Sequence, residues 1–220
     1  MLYDITRALT PRTAVFPGDT PVSIAPVMQM RNGDSANVTA LTMSAHAGTH
    51  VDAPLHYSDD GIGIDAVPLD VLMGPARLIT VAAIDVISIE ALARVLRLAS
   101  TAGVVSTQGA GRKTLPSRLL IHTRASDVPD DVWQPDFAYF TAEAADWLGA
   151  NGVRLIGMDT PSVDYATSKE LPAHKTFLKH GVIIMENLCL RGVPDGDYDL
   201  IALPLRIAGN DAAPARVVLR

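Results

Sequence analysis

The sequence HAGTHVDAPLH, from His46 to His56, places three histidines and one aspartate within a single short run. The whole chain has six histidines, so half of them lie here. Gly48 and Pro54 interrupt the run, which argues against a continuous helix. We interpret it as a metal-binding segment, with the rest of the chain as its scaffold.

The spacing of His46, His50 and Asp52 puts all three side chains on one face of an extended chain. A straight strand rises about 3.3 Å per residue, so His46 and His50 would be about 13 Å apart, too far for one metal ion. The chain must therefore bend between them, and Gly48 permits a bend at little cost. Two imidazole nitrogens and a carboxylate oxygen suit zinc or manganese. Because no cysteine takes part, we expect a catalytic site with open coordination positions and not a closed structural one.

Composition excludes several classes of protein. With 220 residues, of which 48% are hydrophobic, the chain is long enough to bury a sizeable core, and we assign residues 1–220 to one domain. The net charge of −6 and the lack of a basic patch argue against a nucleic-acid partner. We find neither a signal peptide nor an apolar run long enough for a membrane span. The single Cys189 fits a reducing compartment, so we expect a cytoplasmic protein.

Hydrophobic patterning predicts many strands and few helices. The predicted strands cover residues 2–6, 22–30, 38–45, 77–83, 118–123, 153–158, 182–190, 198–207 and 216–219. The predicted helices cover residues 68–73, 88 to about 98, 141–151 and 172–180, with Ser88, Thr141 and Pro172 at their starts. Alternation in residues 38–45 indicates a half-buried strand that leads into His46. We expect an α+β fold with a mixed or antiparallel sheet curled towards a barrel.

Two loops are distinctive. Residues 100–114 are rich in Gly, Ser and Thr, which predicts a surface loop. Residues 125–138 contain two prolines, four aspartates and Trp133, and we interpret them as a lid-like loop. Trp133 either anchors that loop or lines a pocket.

Three further residues are candidates for the site. Glu186 interrupts an apolar strand, where a carboxylate is costly unless it is paired or binds a metal. His174 lies near the N-terminus of the last predicted helix. Asp159 follows a strand, and it either orients a ligand histidine or caps the turn that follows. We expect His122 and His180 to be structural.

The chain resembles the bacterial kynurenine formamidases, within the cyclase-like metal-dependent amide hydrolases. The resemblance covers nearly the whole chain and rests on FPGDTP from Phe16, HAGTHVDAPLHY from His46, GMDTPSVD from Gly157, AHKTFLKHGVIIMENL from Ala173, DYDLIALPLRI from Asp197 and DAAPARVVLR from Asp211. It implies a swivelling β/β/α barrel-like domain that forms dimers or larger assemblies.

The resemblance also implies a role for each site residue. His46, His50 and Asp52 would bind a first metal ion. His174 and Glu186 would complete a second site that Asp52 also reaches, with Glu186 touching both ions. His56 would be the general acid/base. Phe16 matches an aromatic position, often tryptophan in the family, that lines the substrate pocket.

Three functions remain open at the level of sequence. The first is hydrolysis of N-formyl-L-kynurenine, a linear aryl formamide, to kynurenine and formate in tryptophan catabolism. The second is isatin hydrolysis or another ring-opening amide hydrolysis. The third is metal binding without catalysis, which would not require the base at His56. We expect two divalent ions per subunit, zinc first, with manganese and cadmium as alternatives.

Overall fold

The computed structural model describes residues 1–81, 85–96, 100–101, 104–105 and 115–220. The strands in chain order are β1 (Tyr3–Asp4), β2 (Ser23–Met28), β3 (Val38–Thr42), β4 (His50–Asp52), β5 (Met73–Thr80), β6 (Val86–Ile87), β7 (Ser100–Thr101), β8 (Val104–Val105), β9 (Arg118–His122), β10 (Tyr139–Phe140), β11 (Leu155–Met158), β12 (Ile183–Glu186), β13 (Gly196–Pro204) and β14 (Ala212–Leu219). The α-helices are α1 (Leu69–Leu72), α2 (Ile89–Val95), α3 (Ala142–Ala150) and α4 (Pro172–Lys179).

Seven strands close into a barrel in the order β14, β13, β5, β9, β11, β12 and β4, because β4 pairs with both β12 and β14. Strands β5, β9, β11 and β12 are parallel to one another. The other pairs in the barrel are antiparallel, and β1 adds to the outer side of β14. The predicted α+β fold with a mixed, mostly antiparallel, barrel-like sheet is confirmed.

The core has two layers, and successive residues of β9 belong alternately to one layer and to the other. Leu120 belongs to a cluster with Val51, Leu78 and Met185. Its neighbours in sequence belong to a second cluster, which contains Leu148 of α3 and Phe177 of α4. Because successive strand residues point to opposite faces, one cluster fills the barrel and the other packs the helices against it.

Most predicted elements are found with shifted ends. Ser88 and Thr141 cap α2 and α3 as predicted, each hydroxyl accepting a bond from a backbone N–H of the first turn. Strand β12 ends at Glu186, earlier than predicted, because Asn187 adopts a left-handed conformation with φ 57°. Most of the predicted 100–114 loop lies outside the described residues. No helix in the described part of the chain is long and apolar enough to cross a membrane.

A strand is present within residues 38–45, but the prediction that it is half-buried is wrong. Strands β2 and β3 pair with each other, apart from the barrel, and form a two-stranded ribbon that we name the β2–β3 arm. Every residue of β3 is exposed, including Leu41 at 56%. Alternation predicted one buried face, but no other part of the described chain packs onto this face.

Candidate metal centre

The run from His46 to His56 bends at Gly48, as the sequence predicts. Gly48 has φ 66°, a left-handed conformation that favours glycine, and a Cβ there would also lie 2.7 Å from a methyl carbon of Leu9, which would have to move. The Nδ1 atom of His50 lies 2.9 Å from the Gly48 carbonyl oxygen. A carbonyl can only accept, so Nδ1 carries the proton and Nε2 is left free to bind a metal.

Sheet pairing brings the second half of the site to the first. In the antiparallel pairing of β4 and β12, Glu186 lies opposite His50. On the other side of β4, Asp52 lies opposite Ala212 of β14. The ligand strand is therefore held by backbone hydrogen bonds on both edges.

Four side chains converge around Asp52. Its Oδ1 lies 3.0 Å from His46 Nδ1 and 3.1 Å from His50 Nε2. Its Oδ2 lies 3.7 Å from His174 Nε2. Glu186 completes the group, with Oε2 3.6 Å from His50 Nε2 and Oε1 3.6 Å from His174 Nε2. The structure thus brings together all five residues that the sequence predicts as metal ligands.

Unsatisfied polar atoms mark the centre of this group. Both carboxylate oxygens of Asp52 and the Nε2 of His50 are buried and have no hydrogen-bond partner. Their short contacts with one another lack the alignment of hydrogen bonds. Buried polar atoms without partners are costly, so a group of them aimed at one point fits a cation-binding site. Nitrogen and oxygen donors of this kind suit divalent zinc or manganese.

Two sets of three residues have donor atoms within 4.8 Å of one another. One set is His46, Asp52 and His56, and the other is His50, Asp52 and Glu186. Asp52 belongs to both, which suits a carboxylate that serves two neighbouring ions. The grouping differs from the predicted one, because His56 falls within the first set. The roles of these residues as ligands or as base stay predictions.

Asp164 holds His174, and the sequence interpretation missed it. One carboxylate oxygen lies 2.7 Å from His174 Nδ1. The same carboxylate accepts the backbone N–H groups of Ala173 and His174 at 2.9 and 3.1 Å, so it also caps α4. Glu186 is held similarly, by the N–H of Val163 at 2.9 Å. A carboxylate behind a histidine fixes its orientation and leaves Nε2 for the metal.

Asp211 is a second carboxylate that the sequence interpretation did not single out. Its Oδ2 lies 3.1 Å from His46 Nε2 and 3.7 Å from His56 Nδ1. Both missed residues do end or begin a quoted motif, GMDTPSVD at Asp164 and DAAPARVVLR at Asp211. Their position at the ends of these motifs is the sequence signal from which both aspartates could have been predicted as site residues.

Asp159 does neither of the things proposed for it. Its buried carboxylate accepts the backbone N–H and hydroxyl groups of Thr123 and Ser126, at 2.7–3.1 Å. It therefore fastens the segment after β9 to the end of β11. The two histidines predicted to be structural lie elsewhere: His180 pairs with Asp146 at the end of α4, and His122 ends β9.

The charges of the metal-free site depend on these contacts. Burial alone would lower the pKa of His46 and His174, but neighbouring carboxylates outweigh it and raise the two values to about 9 and about 10. Burial and the charge of Asp52 raise the pKa of Glu186 to about 7. Burial would also raise the pKa of Asp52, yet the imidazoles, His50 first, hold it well below 3.8. Protons would therefore compete with any metal ion that binds to these side chains.

His56 differs from the predicted ligands. Its side chain is 31% exposed, whereas those of His50 and His174 are buried. Burial from one side lowers its pKa below the ordinary 6.5, and the charge of Asp52 only partly opposes this. At neutral pH His56 is an uncharged, accessible base.

A cavity of about 260 Å³ opens onto the metal centre. His46, His56, His174 and Glu186 line one end of it. Phe16 and Trp133 line another part and pack edge to face, with ring centroids 5.0 Å apart and planes at 69°. Trp133 thus lines the pocket, which was the alternative to a purely anchoring role. Residues of the 124–137 segment supply much of the wall, and the lid-like role of residues 125–138 stays a prediction.

Comparison with known proteins shows to which family the chain belongs. The family model described as putative cyclase matches residues 3–165. The chain belongs to this cyclase family. A structure described as a "potential metal-dependent hydrolase with cyclase activity" is 28% identical, with TM-score 0.80, and the match covers 100% of this chain and 96% of the other. A "predicted metal-dependent hydrolase" from Bacillus stearothermophilus is also 28% identical, with TM-score 0.78 and coverage of 100% and 97%.

A third cyclase-like structure is isatin hydrolase A from Labrenzia aggregata bound to benzyl benzoate. It is 23% identical, with TM-score 0.78, and the match covers 100% of this chain and 93% of the other. At this identity the likeness concerns the fold alone. The predicted membership of the cyclase-like family is confirmed, and the chain has the fold of cyclase-family metal-dependent hydrolases.

Proposed function

We propose that this protein is a metal-dependent amide hydrolase that converts N-formyl-L-kynurenine, or a similar aryl formamide, to the aryl amine and formate. The observation that carries this is an accessible, uncharged His56 at the cavity end where the buried carboxylates and imidazoles converge. A base, an ion-binding cluster and an apolar wall then share one cavity. The kinship with structures described as metal-dependent hydrolases supports the same reaction class.

We propose two divalent ions per subunit, with zinc as the first choice. His46, His50, Asp52, His174 and Glu186 would hold them, and Asp52 would serve both. When bound, such ions lower the pKa of a coordinated water and polarise the carbonyl oxygen. Two carboxylates among the donors offset part of the positive charge that the ions bring together.

The chain's own residues then perform the proton transfers. His56 accepts a proton from the attacking water as its oxygen bonds to the formyl carbon. The same histidine returns the proton to the leaving nitrogen as the carbon–nitrogen bond breaks. Acid–base help of this kind is worth about 10²–10⁴ in rate. A pKa below 6.5 leaves His56 ready to accept the proton at neutral pH.

The aromatic pair gives the cavity its preference for an aryl group. Phe16 and Trp133 present ring faces and edges on which a substrate ring can pack. This supports an aryl formamide, and it also fits the fused ring of isatin. Isatin hydrolysis is the second candidate, favoured by the shared fold of the isatin hydrolase from Labrenzia aggregata.

A substrate panel tests the proposal. The enzyme is stripped of metal, refilled with zinc, manganese or cadmium, and assayed with N-formyl-L-kynurenine and with isatin. We expect the refilled enzyme to prefer formylkynurenine. Preference for isatin would replace the first candidate with the second, and bound metal without turnover of any amide would indicate a binding protein.

The role of His56 has its own test. His56→Ala should retain the metal content and lose about 10²–10⁴ in kcat, because only the proton transfers are removed. His122→Ala is the matched control, a histidine outside the cavity. Full activity of His56→Ala would reject the proposed base, and loss of metal would instead make His56 a ligand.

We also propose that the protein is a homodimer, in which a second copy covers the β2–β3 arm. The arm exposes several large apolar side chains, namely Ile24, Val27, Met30, Val38 and Leu41. Apolar patches of this kind on an extended ribbon mark association surfaces. Sedimentation should show a dimer that Val27→Asp with Leu41→Asp converts to a monomer. A monomeric parent protein would contradict the proposal.

A further inference from the structure

One oxygen of Asp211 faces two imidazole rings. Its Oδ2 lies 3.1 Å from His46 Nε2 and 3.7 Å from His56 Nδ1, and the two rings lie 4.1 Å apart between centroids. The contact with His46 is a hydrogen bond, whereas the contact with His56 is longer than one. Contacts of catalytic groups are often long without substrate and tighten when it binds.

The backbone holds Asp211 firmly beside the site. The N–H of Ala53, the residue after the ligand Asp52, donates to the Asp211 carbonyl oxygen at 2.8 Å. On one side, Ala212 lies opposite Asp52 in the pairing of β14 with β4. On the other side, the N–H of Ile64 donates to the Asn210 carbonyl oxygen at 2.9 Å. The backbone of Asp211 is thus fixed relative to the histidine run.

The other charged groups around His56 do not replace Asp211. Besides Asp211, the groups that face its ring are Asp52, His46 and His174. Asp52 lies nearest to the imidazoles of His46 and His50, at 3.0 and 3.1 Å. Within the described residues, the His56 ring forms no side-chain hydrogen bond, and the Asp211 carboxylate, at 3.7 Å from Nδ1, is the nearest to it.

We propose that Asp211 is a positioning residue for His56. Its carboxylate, which can only accept, holds the His56 proton on Nδ1 and leaves the lone pair of Nε2 for the attacking water. The negative charge of Asp211 also stabilises the His56 ring while it carries a second proton, as a carboxylate does behind a catalytic histidine. This inference rests on the proposed function only in naming His56 as the base.

Kinetics separate the two rings that Asp211 touches. Asp211→Asn should lower kcat on formylkynurenine about 10–100-fold, with KM and metal content nearly unchanged. In a His56→Ala background the same substitution should have no further effect, because the residue through which Asp211 acts is gone. Asp211→Glu should restore part of the loss. Asp65→Asn is the matched control, since Asp65 holds the same loop through Gly209 and touches neither ring.

A spectroscopic measurement tests the inference without turnover. The chain has six histidines, so nitrogen-15 NMR of the zinc-loaded protein can resolve each ring, and a His56→Gln variant assigns the signal. We expect His56 to carry its proton on Nδ1 in the parent protein and to become a mixture of both tautomers in Asp211→Asn.

The outcomes are distinct. An unchanged His56 tautomer in Asp211→Asn would overturn the inference, whatever the enzyme hydrolyses. Loss of metal together with additive loss of kcat would overturn it in favour of a role through His46. If the parent protein hydrolyses no amide, the proposed function fails, and the tautomer measurement still decides the role of Asp211.

Discussion

The floor and the wall of the cavity are built differently. The floor is the strand pair β4 and β12, with Asp52 and Glu186 buried in a backbone ladder. The wall comes largely from residues 124–137, where regular structure is limited to one short 3₁₀ turn. An ion pair between Arg7 and Asp130 at 2.6 Å fastens that segment to the N-terminal residues.

This structural difference indicates that the floor determines the chemistry of the site, whereas the wall determines which ligand it selects. A one-residue slip in the β4 pairing would turn His50 and Asp52 away from the site, so the floor tolerates little change. The wall depends on side-chain contacts such as that between Phe16 and Trp133. Substitutions there change which ligand fits and leave the ladder intact. Variants of the two regions should therefore fail in different ways.

The largest expected effect is at Asp52, which both groups of donors share. Asp52→Asn should remove bound metal and reduce turnover by more than about 10⁴-fold, beyond the 10²–10⁴ that a single acid–base group supplies. The reason is that an amide bridges two cations poorly and leaves the imidazoles without their counter-charge. Elemental analysis and formamide hydrolysis measure both effects. Asp59→Asn, in the exposed turn after the run, is the control, and two retained ions in Asp52→Asn would disprove the shared role.

A smaller effect on the floor is expected at Asp164. Asp164→Asn should weaken metal affinity about 10–100-fold, because His174 loses the carboxylate that orients it. Competition with a chelator of known affinity measures the change. Asp146→Asn, which breaks a carboxylate–histidine pair with His180 far from the cavity, should leave affinity unchanged. Equal affinities for parent and Asp164→Asn would argue against the orienting role.

On the wall, Trp133→Ala should act on substrate binding alone. We expect KM for formylkynurenine to rise about tenfold, the equivalent of one aromatic contact, with kcat and metal content retained. Phe16→Ala should do the same, and the double variant should lose less than the sum because the rings contact each other. Tyr165→Ala breaks an edge-to-face pair with Tyr139 outside the cavity and is the control. A fall in kcat with constant KM would contradict this and would indicate that the wall residues take part in the chemical step.

The smallest effect is on thermal stability as pH changes. The folded-state pKa values of His46, His174 and Glu186 lie above their ordinary values, at about 9, about 10 and about 7. The metal-free fold therefore binds protons more tightly than the unfolded chain, and this stabilisation is lost as pH rises through those values. The Tm of the metal-free protein should fall from pH 6.5 to pH 10, whereas the increase in Tm caused by zinc should grow. Scanning calorimetry measures both, and a zinc effect independent of pH would contradict proton competition.

Local patterns in the sequence predicted the floor well. The bend at Gly48 followed from the separation of His46 and His50, and the structure shows it. The cost of a carboxylate in an apolar strand pointed to Glu186, which is buried beside His50. Each of these inferences needed only residue type and spacing, because the residues concerned are close in sequence or chemically out of place.

The missed residues depend on contacts that spacing does not encode. Asp164 and Asp211 lie in loops, and the histidines they contact, His174 and His46, are 10 and 165 residues away in sequence. The barrel closure that brings them together is a property of the whole sheet. The burial predicted from the alternation of residues 38–45 was wrong for a related reason. Periodicity shows which face of a strand is apolar, but it does not show what covers that face.

Strand β4 closes the barrel and carries two site residues, His50 and Asp52, and both of its neighbouring strands come from much later in the chain. During synthesis, the early histidines emerge long before β12 and β14 exist to hold them. The nascent chain therefore has no assembled centre, and the proposed metal ions would bind only after the barrel closes. A ribosome-bound fragment that stops before residue 212 would be inert, so the proposed activity would report directly on completed folding.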